Sequence, residues 1–327
     1  MSGTSLDGLD LCYAQFDYKD QKWGYKIIKA KTIPYTSDFK QTLSNAITLS
    51  GEELTYLHAE LGIWIGNRIN NFKEDINDRV DLIGSHGHTV FHNPESGYTT
   101  QIASGAHIAA VTGIPCVCDF RTGDVARGGQ GAPLVPIGDE LLFGEYDFCL
   151  NIGGIANISF KQNNKRIAYD ICPANMALNH ISQEAGNEFD KNGELGKGGA
   201  ISHGLLIELN NLDYYKIHGA KSLGREWFNH IFLPLINQHN LSPADGLRTV
   251  YEHIAQKILE SLTTKPEGKV LITGGGAKNQ FLVELVKEKC KNKLVIPELE
   301  LVDFKEALIF AFLAVLYKLN IPSCLAS

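Results

Sequence analysis

The feature that most constrains this chain is a polar, glycine-bearing loop beside a predicted hairpin, and it occurs twice. The first loop is Met1-Ser2-Gly3-Thr4-Ser5-Leu6-Asp7-Gly8. Predicted strands follow over residues 9–17 and 23–34, joined by a polar turn over 18–22. The second loop, Asn151-Ile152-Gly153-Gly154, ends an apolar strand and opens a hairpin over 155–160 and 166–170. Glycine adopts backbone conformations closed to other residues and lets N–H groups approach a ligand closely. Two such halves with a cleft between them suit an enzyme that grips two substrates.

Between the loops, Leu57, Leu61, Ile65 and Ile69 recur at helical spacing and predict a helix over 55–72. Residues 80–85 and 114–118 read as short strands, and Gly113 stops the helix before the second. Residues 119–133, rich in glycine and charge, read as the crossover between domains. Helical patterns cover 175–183, 201–209, 224–235 and 247–262, and a strand over 269–273 runs into Gly274-Gly275-Gly276. Residues 304–319 read as a buried helix, because Lys305, Glu306 and Lys318 interrupt its apolar run. Strands alternating with helices predict a layered α/β protein. Three antiparallel strands followed by parallel ones, twice over, predict duplicated ribonuclease-H-like domains with an interdomain active-site cleft. The first domain is expected over 1–125, completed by the helix 304–327, and the second over 126–303 with helical insertions.

Composition narrows the partners. A net charge of −7 argues against nucleic-acid binding, which needs basic surface. No apolar run approaches the length of a membrane span, and no basic-then-apolar leader opens the chain. The expected location is the cytoplasm, with no membrane partner. The seven cysteines are odd in number and lack zinc-site spacing, which suits reduced thiols.

Several residues can carry chemistry, each with a plainer alternative. Asn151, Gly153 and Gly154 can cradle phosphates or only make a tight hairpin. Gly274, Gly275, Gly276 and Asn279 lie between a strand and a helix, where a nucleotide can sit, or form a tight connection. Asp7 can position Mg²⁺ through water or cap a turn. Asp170 ends a strand and can take a proton from a hydroxyl or water, or can cap the next helix. Arg121, Asp124, Arg127 and Gln130 lie in the glycine-rich connection, where the two arginines can neutralise a phosphate or anchor a carboxylate; a hinge network is equally compatible. His86 and His88 suit sugar hydrogen bonding or loop packing. Arg225 can bind an anionic group or hold Glu226.

These segments together resemble the anhydro-N-acetylmuramic acid kinase family, within the sugar kinase, Hsp70 and actin superfamily. The resemblance rests on Met1–Gly8, Ser85-His86-Gly87-His88-Thr89-Val90, Asp119-Phe120-Arg121, and the run from Gly128 to Pro136. It continues in Asn151-Ile152-Gly153-Gly154-Ile155-Ala156-Asn157, Lys221-Ser222-Leu223-Gly224-Arg225-Glu226, Gly274-Gly275-Gly276 and Asp303-Phe304-Lys305-Glu306-Ala307. It implies an actin-like ATPase fold, ATP and Mg²⁺ as cofactors, and a homodimer. The implied substrate is a small anhydro amino sugar, 1,6-anhydro-N-acetylmuramic acid. Water opens its anhydro bridge and the freed O6 takes the γ-phosphate, giving N-acetylmuramic acid 6-phosphate and ADP.

By the same resemblance, Asp170 is the base. Ser2, Gly3, Thr4, Ser5, Asp7 and Gly8 form the first phosphate loop, with Asp7 near Mg²⁺. Asn151, Gly153 and Gly154 form the second, and Gly274, Gly275, Gly276 and Asn279 the nucleotide-side turn. His88, Arg121, Asp124, Arg225 and Glu306 are expected at the sugar or in its support.

The chain departs from the family pattern in places. Asp-Thr-Gly-Pro-Gly-Asn becomes Asp170-Ile171-Cys172-Pro173-Ala174-Asn175, and Gln-Ile-Gly-Asp becomes Gln101-Ile102-Ala103-Ser104. Thr122-Gly123-Asp124 and Leu223 also replace usual residues. These changes bear on sugar specificity and leave open an amino-sugar kinase of altered specificity or a weakened binding homologue. Family members carry apolar strand residues ahead of Met-Ser-Gly-Thr-Ser, so the neighbouring strand edge is expected to be exposed here, and the end at Ser327 also looks short.

Overall fold

The computed structural model describes residues 1–3, 6–219 and 221–325. The chain divides into two compact units, Met1–Leu142 with Phe304–Ser327, and Phe143–Asp303.

The first unit opens with the hairpin β1 (Gly8–Lys19) and β2 (Lys22–Pro34). Its two-residue turn places Asp20 and Gln21 at φ 51° and 61°, the left-handed pair whose twist matches antiparallel strands. The helix Gly51–Phe72 follows. Ser50 accepts the Glu53 N–H while Glu53 accepts the Ser50 N–H, so a capping box fixes its start. Leu57, Leu61 and Ile65 then bury one face. Four short strands complete the set: β3 (Ile83–Ser85), β4 (His88–Asn93), β5 (Tyr98–Ile102) and β6 (Cys116–Cys118). They form two further pairs, β3–β6 parallel and β4–β5 antiparallel. Beyond β2, the one further strand pairing of β1 among the described residues is an isolated antiparallel bridge between Ser2 and Leu9.

The second unit holds one five-stranded sheet. Its strands are β7 (Phe148–Ile152), β8 (Ile155–Gln162), β9 (Lys165–Pro173), β10 (Lys269–Thr273) and β11 (Lys293–Val295), in the order β11-β10-β7-β8-β9. β7, β8 and β9 are antiparallel; β10 and β11 run parallel to β7. The β8–β9 turn repeats the first hairpin's device, with Asn163 and Asn164 at φ 50° and 60°. The helix Pro243–Ser261 packs into this core. Ser242 caps it, proline occupies its first turn, and Leu247, Val250, Tyr251, Ile254 and Ile258 are fully buried.

The division at Leu142–Phe143 falls later than the boundary expected after residue 125. Helix Val135–Leu142 is bound into the first unit: Gly138 abuts Ile309, and buried Asp139 pairs with buried Lys305 at 2.6 Å. Those partners lie on the helix Leu299–Lys318, buried through Leu308, Phe312, Leu313 and Leu316 as its sequence predicted. Among the described residues no helix is long and apolar enough to cross a membrane.

One alanine is strained. Ala103, buried after β5, sits at φ 106°, a region that favours glycine. The family pattern has glycine there. Ala103→Gly should raise the free energy of unfolding by about 1 kcal/mol in urea titration, since relief of strain outweighs the added chain entropy. A loss of stability would contradict the strain.

Candidate active site

In the second unit, parallel pairing of β7 with β10 sets Asn151 beside Thr273, so the loops that follow both strands emerge together. Gly274 lies at φ 83° against the Asn151 side chain and the Ile152 carbonyl. A Cβ on Gly276 would strike the Ile152 side chain. These two glycines are therefore required by packing within the chain. Gly153 and Gly154 differ. A Cβ on either meets nothing nearer than 3.4 Å, so the protein's own atoms do not demand glycine there. They turn β7 into β8, as the hairpin reading held; Gly153 is half-buried and Gly154 exposed, and a Cβ on either would sit in ordinary van der Waals contact. Asn175 closes the group: its side chain donates to the Ile152 carbonyl at 3.1 Å, and its N–H to the Gly153 carbonyl at 3.1 Å.

The nucleotide-side turn is shaped differently from the expected turn-into-helix. A single 3₁₀ turn, Gly275–Lys278, comes first, and Asn279 then caps the helix Gln280–Lys289 by accepting the Leu282 N–H. The Asn279 amide donates to the Tyr251 hydroxyl, which donates to buried Asp190. Asn279 thus braces the turn from within.

Asp170 does not cap a helix. The next helix begins at Asn175, and its first N–H groups go to the Gly153 and Gly154 carbonyls. One Asp170 carboxylate oxygen accepts the Leu223 N–H at 2.8 Å. Its backbone N–H donates to Lys221, and its carbonyl accepts the Tyr214 hydroxyl at 2.6 Å. Burial pushes the Asp170 pKa up to about 6, and the Leu223 hydrogen bond restrains the rise. Such a carboxylate is mostly ionised at neutral pH yet basic enough to accept a proton. Tyr214 escaped the sequence reading, which singles out Leu223 only as a departure from the family pattern. Leu223 acts through its backbone, which leaves no side-chain signature. Arg225 is exposed in the short helix Arg225–Trp227.

In the first unit, the His86 ring accepts from Arg121 Nε at 2.9 Å, while its Nδ1 contacts the Gly87 carbonyl. A carbonyl only accepts, so Nδ1 carries the proton. Burial, reinforced by the Arg121 charge, lowers the His86 pKa to about 3 and keeps the ring neutral. Arg121 also donates to the Gly131 carbonyl at 2.7 Å, so one donor goes to His86 and one to its own loop. Asp124 accepts the Gly131 N–H at 2.7 Å, so its carboxylate shapes that loop. His88 shares a hydrogen bond with buried Ser2, which also accepts from Tyr35. Burial raises the Glu306 pKa, and Lys305 and Arg121 oppose the rise. Asp7 is exposed, and Gly3 and Gly8 flank that opening loop; Thr4 and Ser5 lie outside the described residues. Among the described residues no group of three or more metal-ligating side chains stands ready for an ion.

The loop glycines separate by experiment. Gly276→Ala should cost about 2 kcal/mol or more of stability, because overpacking forces Ile152 to move. Gly153→Ala should keep the wild-type unfolding midpoint. Equal losses for the two, measured by urea unfolding, would refute the distinction.

The model of the anhydro-N-acetylmuramic acid kinase family matches residues 1–327. The anhydro-N-acetylmuramic acid kinase of Pasteurella multocida is 35% identical over 354 aligned positions, covering 100% of this chain and 91% of that protein. Its counterpart in Aliivibrio fischeri is 36% identical, covering 96% of this chain and 90% of that protein. The one in Bacillus cereus strain Q1 is 32% identical, with the same coverage of 96% and 90%. With the whole length matched and the two glycine loops in place, the chain belongs to the anhydro-N-acetylmuramic acid kinase family.

Proposed function

We propose that this protein uses ATP to phosphorylate 1,6-anhydro-N-acetylmuramic acid and opens the anhydro bridge in the same reaction. The observation that carries this reading is Asp170, a largely buried carboxylate that accepts the Leu223 N–H and, among the described residues, neither caps a helix nor pairs with a cation. Asp170 takes a proton from water as the water oxygen bonds to the anomeric carbon. The bond from that carbon to O6 breaks. O6 bonds to the γ-phosphorus, the bond to the ADP oxygen breaks, and Asp170 later releases its proton to solvent.

Gly153 and Gly154 leave the backbone open to phosphate oxygens, with Asn151 beside them and Gly274–Gly276 setting the neighbouring wall. Ser2, Gly3, Asp7 and Gly8 make the other phosphate loop. Mg²⁺ offsets phosphate charge when bound, and exposed Asp7 suits it, since this ion commonly uses one or two carboxylates plus phosphate oxygens. His88, Arg121 and Glu306 are assigned to the sugar side, with Arg121 for its lactyl carboxylate. Asp124 supports that side through Gly131. Arg225 remains assigned to the substrate by the family pattern alone. The reading extends to a homodimer working in the cytoplasm.

Ser104 favours a second reading, altered sugar specificity. Where the family pattern has a carboxylate, Ser104 caps the helix Gly105–Thr112 and bonds His107 at 2.8 Å. Turnover of the anhydro sugar with and without its lactyl group separates the two readings.

In ¹⁸O-water with Mg-ATP, the phosphorylated sugar should gain one ¹⁸O at the anomeric hydroxyl, and Asp170→Asn should make none. Label in phosphate instead would refute ring opening by water. The acid limb of kcat/KM should follow an apparent pKa of about 6. Folded Asp170 holds its proton more tightly than unfolded aspartate, whose pKa is about 3.9. Its contribution to stability is therefore fully present below about pH 4 and is lost as pH rises through about 6. Asp170→Asn should be the more stable protein at pH 7.5, and its advantage should fade toward pH 4. An advantage independent of pH would contradict the raised pKa.

A further inference from the structure

Asp170 lies on an edge strand. Among the described residues β9 pairs only with β8, and the register skips Ile171 between Asp170 and Cys172. Such a bulge disrupts the ladder locally and re-aims the side chains beside it. The ladder alone therefore does not fix Asp170. Both of its main-chain groups bond outside the sheet, the N–H to the Lys221 carbonyl at 3.0 Å and the carbonyl to the Tyr214 hydroxyl at 2.6 Å.

Tyr214 is buried. Burial, and then the Asp170 charge, raise its pKa, so the phenol keeps its proton and donates. Lys221 Nζ donates to the Tyr214 carbonyl at 3.2 Å and stands 4.6 Å from the centre of its ring. Trp227 packs on the same ring at 5.5 Å.

The neighbouring tyrosine reaches a different partner. Tyr214 and Tyr215 share the 3₁₀ turn Asp213–Lys216, their rings edge to face at 5.6 Å. The Tyr215 hydroxyl meets Nε2 of fully buried His253 at 2.9 Å, and His253 Nδ1 meets the Asn210 side-chain oxygen at 2.8 Å. An amide oxygen only accepts, so Nδ1 carries the proton and Nε2 accepts from Tyr215. Burial, with Lys257 adding to it, lowers the His253 pKa to about 3, so the ring is neutral. The Asn210 amide nitrogen donates to Gln256 at 2.8 Å. His253 and Gln256 both lie on the helix Pro243–Ser261, so the turn is fastened to the core of the second unit.

We propose that Tyr214 is a positioning residue for Asp170, and that His253 holds it in place through Tyr215. This role rests on Asp170 being the base. Without the Tyr214 hydroxyl, the Asp170 carbonyl loses its partner and the strand edge is free to turn. The Leu223 N–H then meets the carboxylate less well. A carboxylate with a weaker donor holds its proton more tightly, and one that turns aims less well at water.

Tyr214→Phe removes the hydroxyl and keeps the ring against Trp227. With Mg-ATP and 1,6-anhydro-N-acetylmuramic acid, kcat should fall about tenfold while the KM for ATP stays unchanged. The acid limb of kcat/KM should move up by about half a pH unit or more. A ¹³C carboxylate titration of the ligand-free protein, its Asp170 signal identified by its loss in Asp170→Asn, should move the same way. Tyr215→Phe should give a smaller shift in that direction. The double variant should go no further than Tyr214→Phe, because Tyr215 acts through Tyr214. A merely structural Tyr214 would lower the unfolding midpoint and leave both pH readings in place, which would overturn the proposal. Additive effects of the two substitutions would overturn the part given to His253. Turnover by Asp170→Asn would remove the base and its positioning residue together. An unmoved Asp170 titration in Tyr214→Phe, beside an inactive Asp170→Asn, would remove the positioning role alone.

Discussion

The contact of Ile152 with the Gly274–Gly276 turn is the constraint on which the second unit's chemistry depends. Parallel pairing brings the ends of β7 and β10 together, but pairing alone does not let their loops close. Glycine at 274 admits the Asn151 side chain and the Ile152 carbonyl, and glycine at 276 admits the Ile152 side chain. The head of the helix Asn175–Glu184 then seats on the Gly153 and Gly154 carbonyls. Three loops gather at the carboxyl ends of parallel strands, where open α/β sheets place ligands. The glycines that look most like a phosphate motif are thus structural, and the less conspicuous pair, Gly153 and Gly154, leaves the backbone accessible.

Asp170 illustrates how a single amide sets a protonation state. Burial alone drives a carboxylate toward its neutral form. Several N–H donors would hold the pKa near or below its ordinary range and weaken the group as a base. One donor, from Leu223, leaves its pKa at about 6. The loop carrying Leu223 is itself tied down: the Lys221 carbonyl accepts the Asp170 N–H, and Lys221 Nζ reaches the Tyr214 carbonyl at 3.2 Å. The basicity of Asp170 therefore depends on how firmly residues 221–223 are held, which links a remote polar run to the proton transfer proposed for it.

Local features were legible in the sequence because local physics decides them. The hairpins close on two-residue turns, the long helix starts at a capping box, and Gly113 ends its helix in the left-handed region at φ 70°. The glycine loops are visible for the same reason, whereas Asp170 stands out as a base only through the family resemblance. The domain boundary was not, because Gly138 and Asp139 find Ile309 and Lys305 far along the chain. Asp124 and Asn279 read as ligand contacts by residue type, yet both spend their side-chain bonds within the protein. Composition cannot distinguish an amide that meets a nucleotide from one that meets Leu282 and Tyr251.

The two sheets also differ in a way that follows from pairing. In the second unit, β10 is five residues long and has neighbours on both edges, β7 and β11. In the first, β3 and β6 are three residues each and, among the described residues, pair only with one another. The hairpin β1–β2 keeps twelve and thirteen residues because a tight turn brings its strands together at little entropic cost. A parallel pair has no such turn, and its register rests on neighbours and covering helices. The first unit therefore keeps its longest pairing where contacts are local and its shortest where they are not.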